Sequence, residues 1–265
     1  MTRHPQQART YIEAIHHAGA RPIVVVDMDA FTGDPRLNDL LRPCAAEHGL
    51  YRVDAIEAAG MIVSASSLRE LACESAEGLV ELGLDPILIA GHCTTATFAL
   101  MLHEEMARRT GAPCALALVD PAWVDRELIA EGVEDVHAAT CGASAKQHVD
   151  LPDAEAAANY LKSALEASLR KDGMDDEEVA MCVDILLERY RWWLRLLFMT
   201  EDAKIPVGAR GRTYVALSTE AGRAMPASWP LQETMITVFE ETFTGMLRNP
   251  QVRVFLLTAA DRELV

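Results

Sequence analysis

The sequence predicts an α/β fold, a mostly parallel sheet with helices on both faces, and three observations predict it. Ile23–Val26, Ile87–Ala90 and Ala115–Val119 are continuous apolar runs, the pattern of strands covered on both faces. Stretches with apolar residues at helical spacing separate these runs, and such alternation requires parallel pairing through right-handed crossovers. The third observation is Gly91-His92-Cys93-Thr94-Thr95-Ala96, which carries the strand over 86–90 straight into a helix. A turn that tight lifts its apex side chain above the sheet.

In chain order, Tyr11, Ile12, Ile15 and Ala18 predict a helical lead-in over residues 1–20. Pro22 opens the β-branched strand Ile23–Val26, and Asp27–Asp34 forms the loop at its carboxyl end. The aspartates of that loop read as surface turn chemistry rather than as a cation site, although loops at this edge of a parallel sheet are where sites are built. Leu37, Leu40 and Leu41 predict a helix, and Tyr51-Arg52-Val53 a short strand. Ser66 or Ser67 caps the next helix, whose stripe runs through Leu68, Leu71, Ala72, Ala76 and Leu79 to a stop at Gly83. After the strand over 86–90, a helix from about Thr95 to Arg109 turns Phe98, Leu102 and Met106 inward, and Gly111-Ala112-Pro113 ends it. Ala115–Val119 is a buried strand ending in Asp120-Pro121. Residues 125–150 read as a polar, loop-rich stretch, followed from 153 to 200 by two long helical segments that look like a lid. Arg212–Leu217 restarts the sheet, 231–247 reads as a helix, and Val252–Leu257 as the last strand. A single domain over residues 1–265 is expected, with the lid insertion at about 125–205.

A net charge of −16 argues against nucleic acid and anionic membranes as partners, because the summed field repels both. Six cysteines stand without zinc-ligand spacing, which predicts neither a metal site nor a disulfide framework. No leader or membrane-spanning pattern is present, so a soluble cytoplasmic protein is expected.

Cys93 is the apex residue of the turn. A thiolate there attacks a thioester or ester carbonyl, and the backbone N–H of Thr94, at the start of the following helix, holds the oxyanion. A second donor is expected near Asp29 or Ala30. The helix N-terminus is expected to lower the thiol pKa. The alternative is a buried thiol in a tight strand–helix turn. Asp120 ends the neighbouring strand, 27 residues after Cys93, where a carboxylate orients a catalytic histidine; the alternative there is a turn cap before Pro121. Trp192, Trp193 and Phe198 read either as core packing or as the apolar wall of an acyl tunnel.

Asp85-Pro86-Ile87-Leu88-Ile89-Ala90-Gly91-His92-Cys93, Thr97-Phe98-Ala99-Leu100 and Leu116-Ala117-Leu118-Val119-Asp120 together resemble the thioesterases of nonribosomal peptide and polyketide assembly lines. The resemblance implies an α/β-hydrolase fold with a two-helix lid insertion, and a carrier-protein partner that delivers the acyl thioester on its phosphopantetheine arm. It implies no cofactor held by the chain itself.

Three departures stand out. Cys93 replaces the usual serine, as in the family's cyclases, including Dieckmann-type enzymes, and in its carrier-to-carrier aminoacyl transferases. Thr95 replaces the second glycine of the turn, so its hydroxyl needs a local partner. The family's histidine follows the last strand, where this chain reads Leu257-Thr258-Ala259-Ala260-Asp261-Arg262, with Arg262 in the histidine's place and no histidine after His148. An arginine is no base near neutral pH. His92 is expected to point away from the thiol, whereas His137 or His148 is a possible substitute base. The expectation is an acyl-Cys93 enzyme that releases its acyl group by cyclisation or transfer. An editing hydrolase and a catalytically degenerate binding module are the alternatives.

Overall fold

The computed structural model describes residues 9–17, 21–28, 35–141, 151–204, 212–220 and 234–262. Its elements are β1 (Ile12–His16), β2 (Ile23–Asp27), α1 (Leu37–Leu41), α2 (Ala45–His48), β3 (Leu50–Asp54), α3 (Ala55–Met61), α4 (Leu68–Glu81), β4 (Leu88–His92), α5 (Ala96–Thr110) and β5 (Ala115–Val119). Then come α6 (Arg126–Cys141), α7 (Ala154–Lys171), α8 (Asp176–Glu201), β6 (Thr213–Ser218), β7 (Thr234–Phe239), α9 (Phe243–Met246) and α10 (Pro250–Asp261).

The seven strands form one sheet in the order β1-β3-β2-β4-β5-β6-β7. Only β1 runs antiparallel; every other pairing is parallel. Alternate residues of each strand face opposite sides. Val25, Leu88, Ala90, Ala117, Val119 and Tyr214 join one buried cluster with Leu37 and Leu41 of α1 and Leu256 of α10. The intervening Val24, Val26, Ile89, Leu116 and Leu118 are equally buried and face the side where α5 packs on β4 and β5. Register pairs Val26 with Gly91 and His92 with Val119, so the carboxyl ends of β2, β4 and β5 come level. Asp27, Cys93 and Asp120 leave the sheet at that edge.

By contacts the chain divides into two compact units. Residues 1–123 and 203–265 carry the sheet, and residues 124–202 carry α6, α7 and α8. Ser67 caps α4 by accepting from Glu70 N at 3.3 Å, as the sequence predicts.

Four expectations are corrected. Residues 12–16 are an edge strand instead of a helix: apolar spacing there fits both periods, and Glu13 meets Arg52 of β3 in a cross-strand ion pair at 2.9 Å. The expected loop at 125–150 contains α6, which buries Ile129 and Val133, four apart, so α6, α7 and α8 stand between β5 and β6 among the described residues. Thr234–Phe239, expected as helix, is the edge strand β7, in keeping with its β-branched Ile236, Thr237 and Val238. Val252–Leu257, expected as a strand, lies within α10. Asn249 caps that helix by accepting from Gln251 N at 2.7 Å, Pro250 opens it, and Val252, Leu256, Ala259 and Ala260 bury one face.

Candidate active site

The turn after β4 is a single 3-10 turn, Cys93–Thr95, leading into α5. Gly91 is required by close approach: a Cβ there would stand 2.6 Å from the Cβ of Ala99. The Thr95 hydroxyl finds its partners, lying 3.0 Å from the carbonyl oxygen of Val26 and 2.8 Å from that of His92, and accepting from His92 N at 3.1 Å. This hydroxyl pins the turn to β2. Cys93 itself sits at φ 51°, in the left-handed region that non-glycine residues avoid.

Cys93 lines a cavity of about 190 Å³ together with Asp27, Met28, Arg36, His92 and Phe243. Burial pushes the thiol up to about 11, and the negative charge of Asp120 pushes the same way. Hydrogen bonds from Thr94 N–H and its hydroxyl oppose the rise. The expected lowering is thereby corrected: desolvation outweighs the start of α5, and the resting group is a thiol.

Asp120 also has a positive φ, 40°. Its backbone N–H donates to Ala216 O at 2.8 Å, and its Oδ1 accepts from Ser218 N at 2.6 Å, which fastens it to β6. Its Oδ2 is buried without a partner among the described residues. Burial raises its carboxyl above the ordinary range. Ala122 N, two residues on, donates to Cys93 O at 3.1 Å and ties the two strand ends together.

The place of the missing histidine is corrected. The last described strand is β7, and Arg262 caps α10, its Nη1 2.9 Å from Met235 Sδ. After β7 come Glu240, Glu241 and Thr242, then Phe243 and Thr244 at the cavity. The Phe243 ring lies 5.0 Å from the His92 ring. Phe243, not Arg262, thus reaches the cavity from beyond the last described strand. His92 is also among the residues that line the cavity, and its Nε2 is buried and unpartnered among the described residues. Burial lowers this imidazole to about 4 and leaves it neutral.

His137 stacks on Tyr160 at 4.6 Å within the helical unit. In that unit Trp193 is 7% exposed and lies over Gly132, and the Arg126 guanidinium sits 4.7 Å above the Phe198 ring. Trp192, on the same helix α8, is partly exposed. Asp29, Ala30 and His148 lie outside the described residues.

Sequence reasoning missed Asp27 and Phe243. Asp27 is no turn residue. It is the last residue of β2, 6% exposed, and its Oδ1 and Oδ2 accept from Met28 N at 3.0 Å and Asn38 N at 3.3 Å. Burial raises its carboxyl to about 6 against these bonds and the charges of Arg52 and Arg36. The available signal was position: an acid directly behind a four-residue apolar strand, level with the strand ends that carry Cys93 and Asp120.

No family model matches the chain, and no curated protein matches its sequence significantly. Solved structures do match. YbtT, a type II thioesterase from the yersiniabactin NRPS/PKS biosynthetic pathway, aligns at TM-score 0.58 and 15% identity, over 95% of this chain and 97% of its own. The NocB thioesterase domain from the nocardicin cluster aligns at 0.55 and 15%, over 96% and 99%. A hydrolase from Oleispira antarctica aligns at 0.57 and 11%, over 96% and 95%. The fold is that of the α/β-hydrolases.

Proposed function

We propose that this protein accepts an acyl group from a carrier-protein phosphopantetheine thioester onto Cys93 and passes it to an acceptor. The observation that carries the reading is Cys93 held at a left-handed apex, at the head of α5, opening on a cavity beside Thr94 N–H. In this reading Cys93 Sγ bonds to the thioester carbon, the Thr94 N–H holds the oxyanion, and the pantetheine thiolate leaves. Asp120, whose charge acts on the thiol and whose Oδ2 is unclaimed among the described residues, takes the thiol proton in this reading and returns it to the leaving sulfur. The acyl-cysteine keeps thioester reactivity, so an amine, thiol or carbanion acceptor resolves it.

Among ring closure, transfer and hydrolysis, the cavity size supports transfer of a small acyl group. About 190 Å³ is below the range of roughly 300–1,000 Å³ that holds larger ligands. No histidine follows His148 in the chain, so the base that the family's hydrolases place after the last strand is not supplied there, which favours transfer over hydrolysis. The chain itself needs no cofactor in this scheme.

A second reading rests on the absence of any histidine after His148: a fold that binds acylated carriers without turnover. Intact-protein mass spectrometry after incubation with small acyl N-acetylcysteamine thioesters separates the two. The expected result is an acyl mass increase on the wild type that Cys93→Ala abolishes. No adduct on the wild type with any donor favours the binding module.

A further inference from the structure

We propose that Asp27 selects the acyl group, and that the preferred acyl group carries a cationic amine. This rests on the reading of Cys93 as the acylated residue. Asp27 and Cys93 line one cavity, so an acyl chain bonded to Cys93 Sγ occupies the space onto which Asp27 opens. The carboxylate is 6% exposed and fixed by backbone donors on both oxygens, from Met28 and from Asn38 at the start of α1, so it cannot swing out to water. Met28, Phe243 and Leu247 supply apolar wall around it. A buried carboxylate in such a wall is unfavourable unless a cation meets it. Arg36 and Arg52 act on it, and burial still dominates. Arg36 lines the same cavity, and an ammonium on the acyl group adds a further cation that this carboxylate attracts, whereas a hydrocarbon of the same size adds none. Sites of this kind discriminate strongly against the analogue that lacks the polar group. The cavity volume suits an acyl group of amino-acid size.

The test compares rates of Cys93 acylation, followed by intact mass, for matched N-acetylcysteamine thioesters: alanyl against isobutyryl and lactyl, and β-alanyl against butyryl. The amine donors are expected to react about tenfold faster than their isosteres, with Asp27→Asn removing most of that ratio. An amine preference absent from the wild type, or left in place by Asp27→Asn, overturns the inference, as does lactyl matching alanyl. Should Asp27→Asn fail to fold, the same ratios are read on Asp27→Ser. No adduct from any donor overturns the Cys93 reading instead, and this inference with it.

Discussion

Asp27 and Asp120 are buried carboxyls at the ends of β2 and β5, the strands on either side of β4, each raised by burial, and their surroundings differ. Asp27 has both oxygens bonded and opens on the cavity; Asp120 has one oxygen fixed by Ser218 and the other unclaimed among the described residues. Removing the charge of Asp120 has two effects of opposite sign on Cys93. Asp120→Asn is expected to lower the thiol pKa, read as faster iodoacetamide alkylation near neutral pH, and to slow acylation by thioesters by about tenfold or more through loss of the proton acceptor. If both reactions speed up, Asp120 is not the acceptor. Cys93 and Asp120 were legible in the sequence because glycine and proline beside short apolar runs mark strand ends sharply. Asp27 was not, because an acid before Met28 and Asp29 carries the same local signature as a surface turn. Phe243 was hidden by distance along the chain: nothing local says that residues 151 positions apart meet at one cavity.

At the scale of elements, α6 and α10 show why parts of the fold were misread. A short run such as Val252–Leu257, apolar but for Arg253, fits a strand and a helix equally, and Asn249-Pro250 decides for the helix by capping it. The loop reading of 125–150 gave weight to Gly132, which instead sits inside α6. A Cβ at that position would approach Trp193 Cζ2 to 3.4 Å, an ordinary contact, while glycine costs about 1 kcal/mol in a helix interior. Gly132→Ala is therefore expected to stabilise the helical unit by roughly 0.5–1 kcal/mol, measured by urea denaturation. A loss of stability would mean that the Trp193 ring cannot yield. The elements around Cys93 were read correctly, since β2, β4, α5 and β5 each combine a clear period with a clear stop.

For the whole molecule, Asp27 links stability to pH. Its folded carboxyl titrates near 6 against an ordinary 3.8, so the folded state holds the proton more tightly than the unfolded chain. The corresponding stability is present below about 3.8 and lost as pH rises through about 6, at most about 3 kcal/mol. Asp27→Asn, which cannot ionise, is expected to gain relative to the wild type between about pH 4.5 and pH 8, read from urea midpoints at both; an equal difference at the two pH values rules this linkage out. β5 and β6 pair directly, although the helical unit separates them along the chain. What the sheet does carry is two adjacent strand ends, at Cys93 and Asp120, twisted into a backbone region that glycine occupies freely. Such positions are where random substitution finds relief most easily, since glycine at either removes about 1–3 kcal/mol of conformational cost. With a cysteine and an aspartate there instead, the fold holds that conformational cost at two neighbouring positions at once.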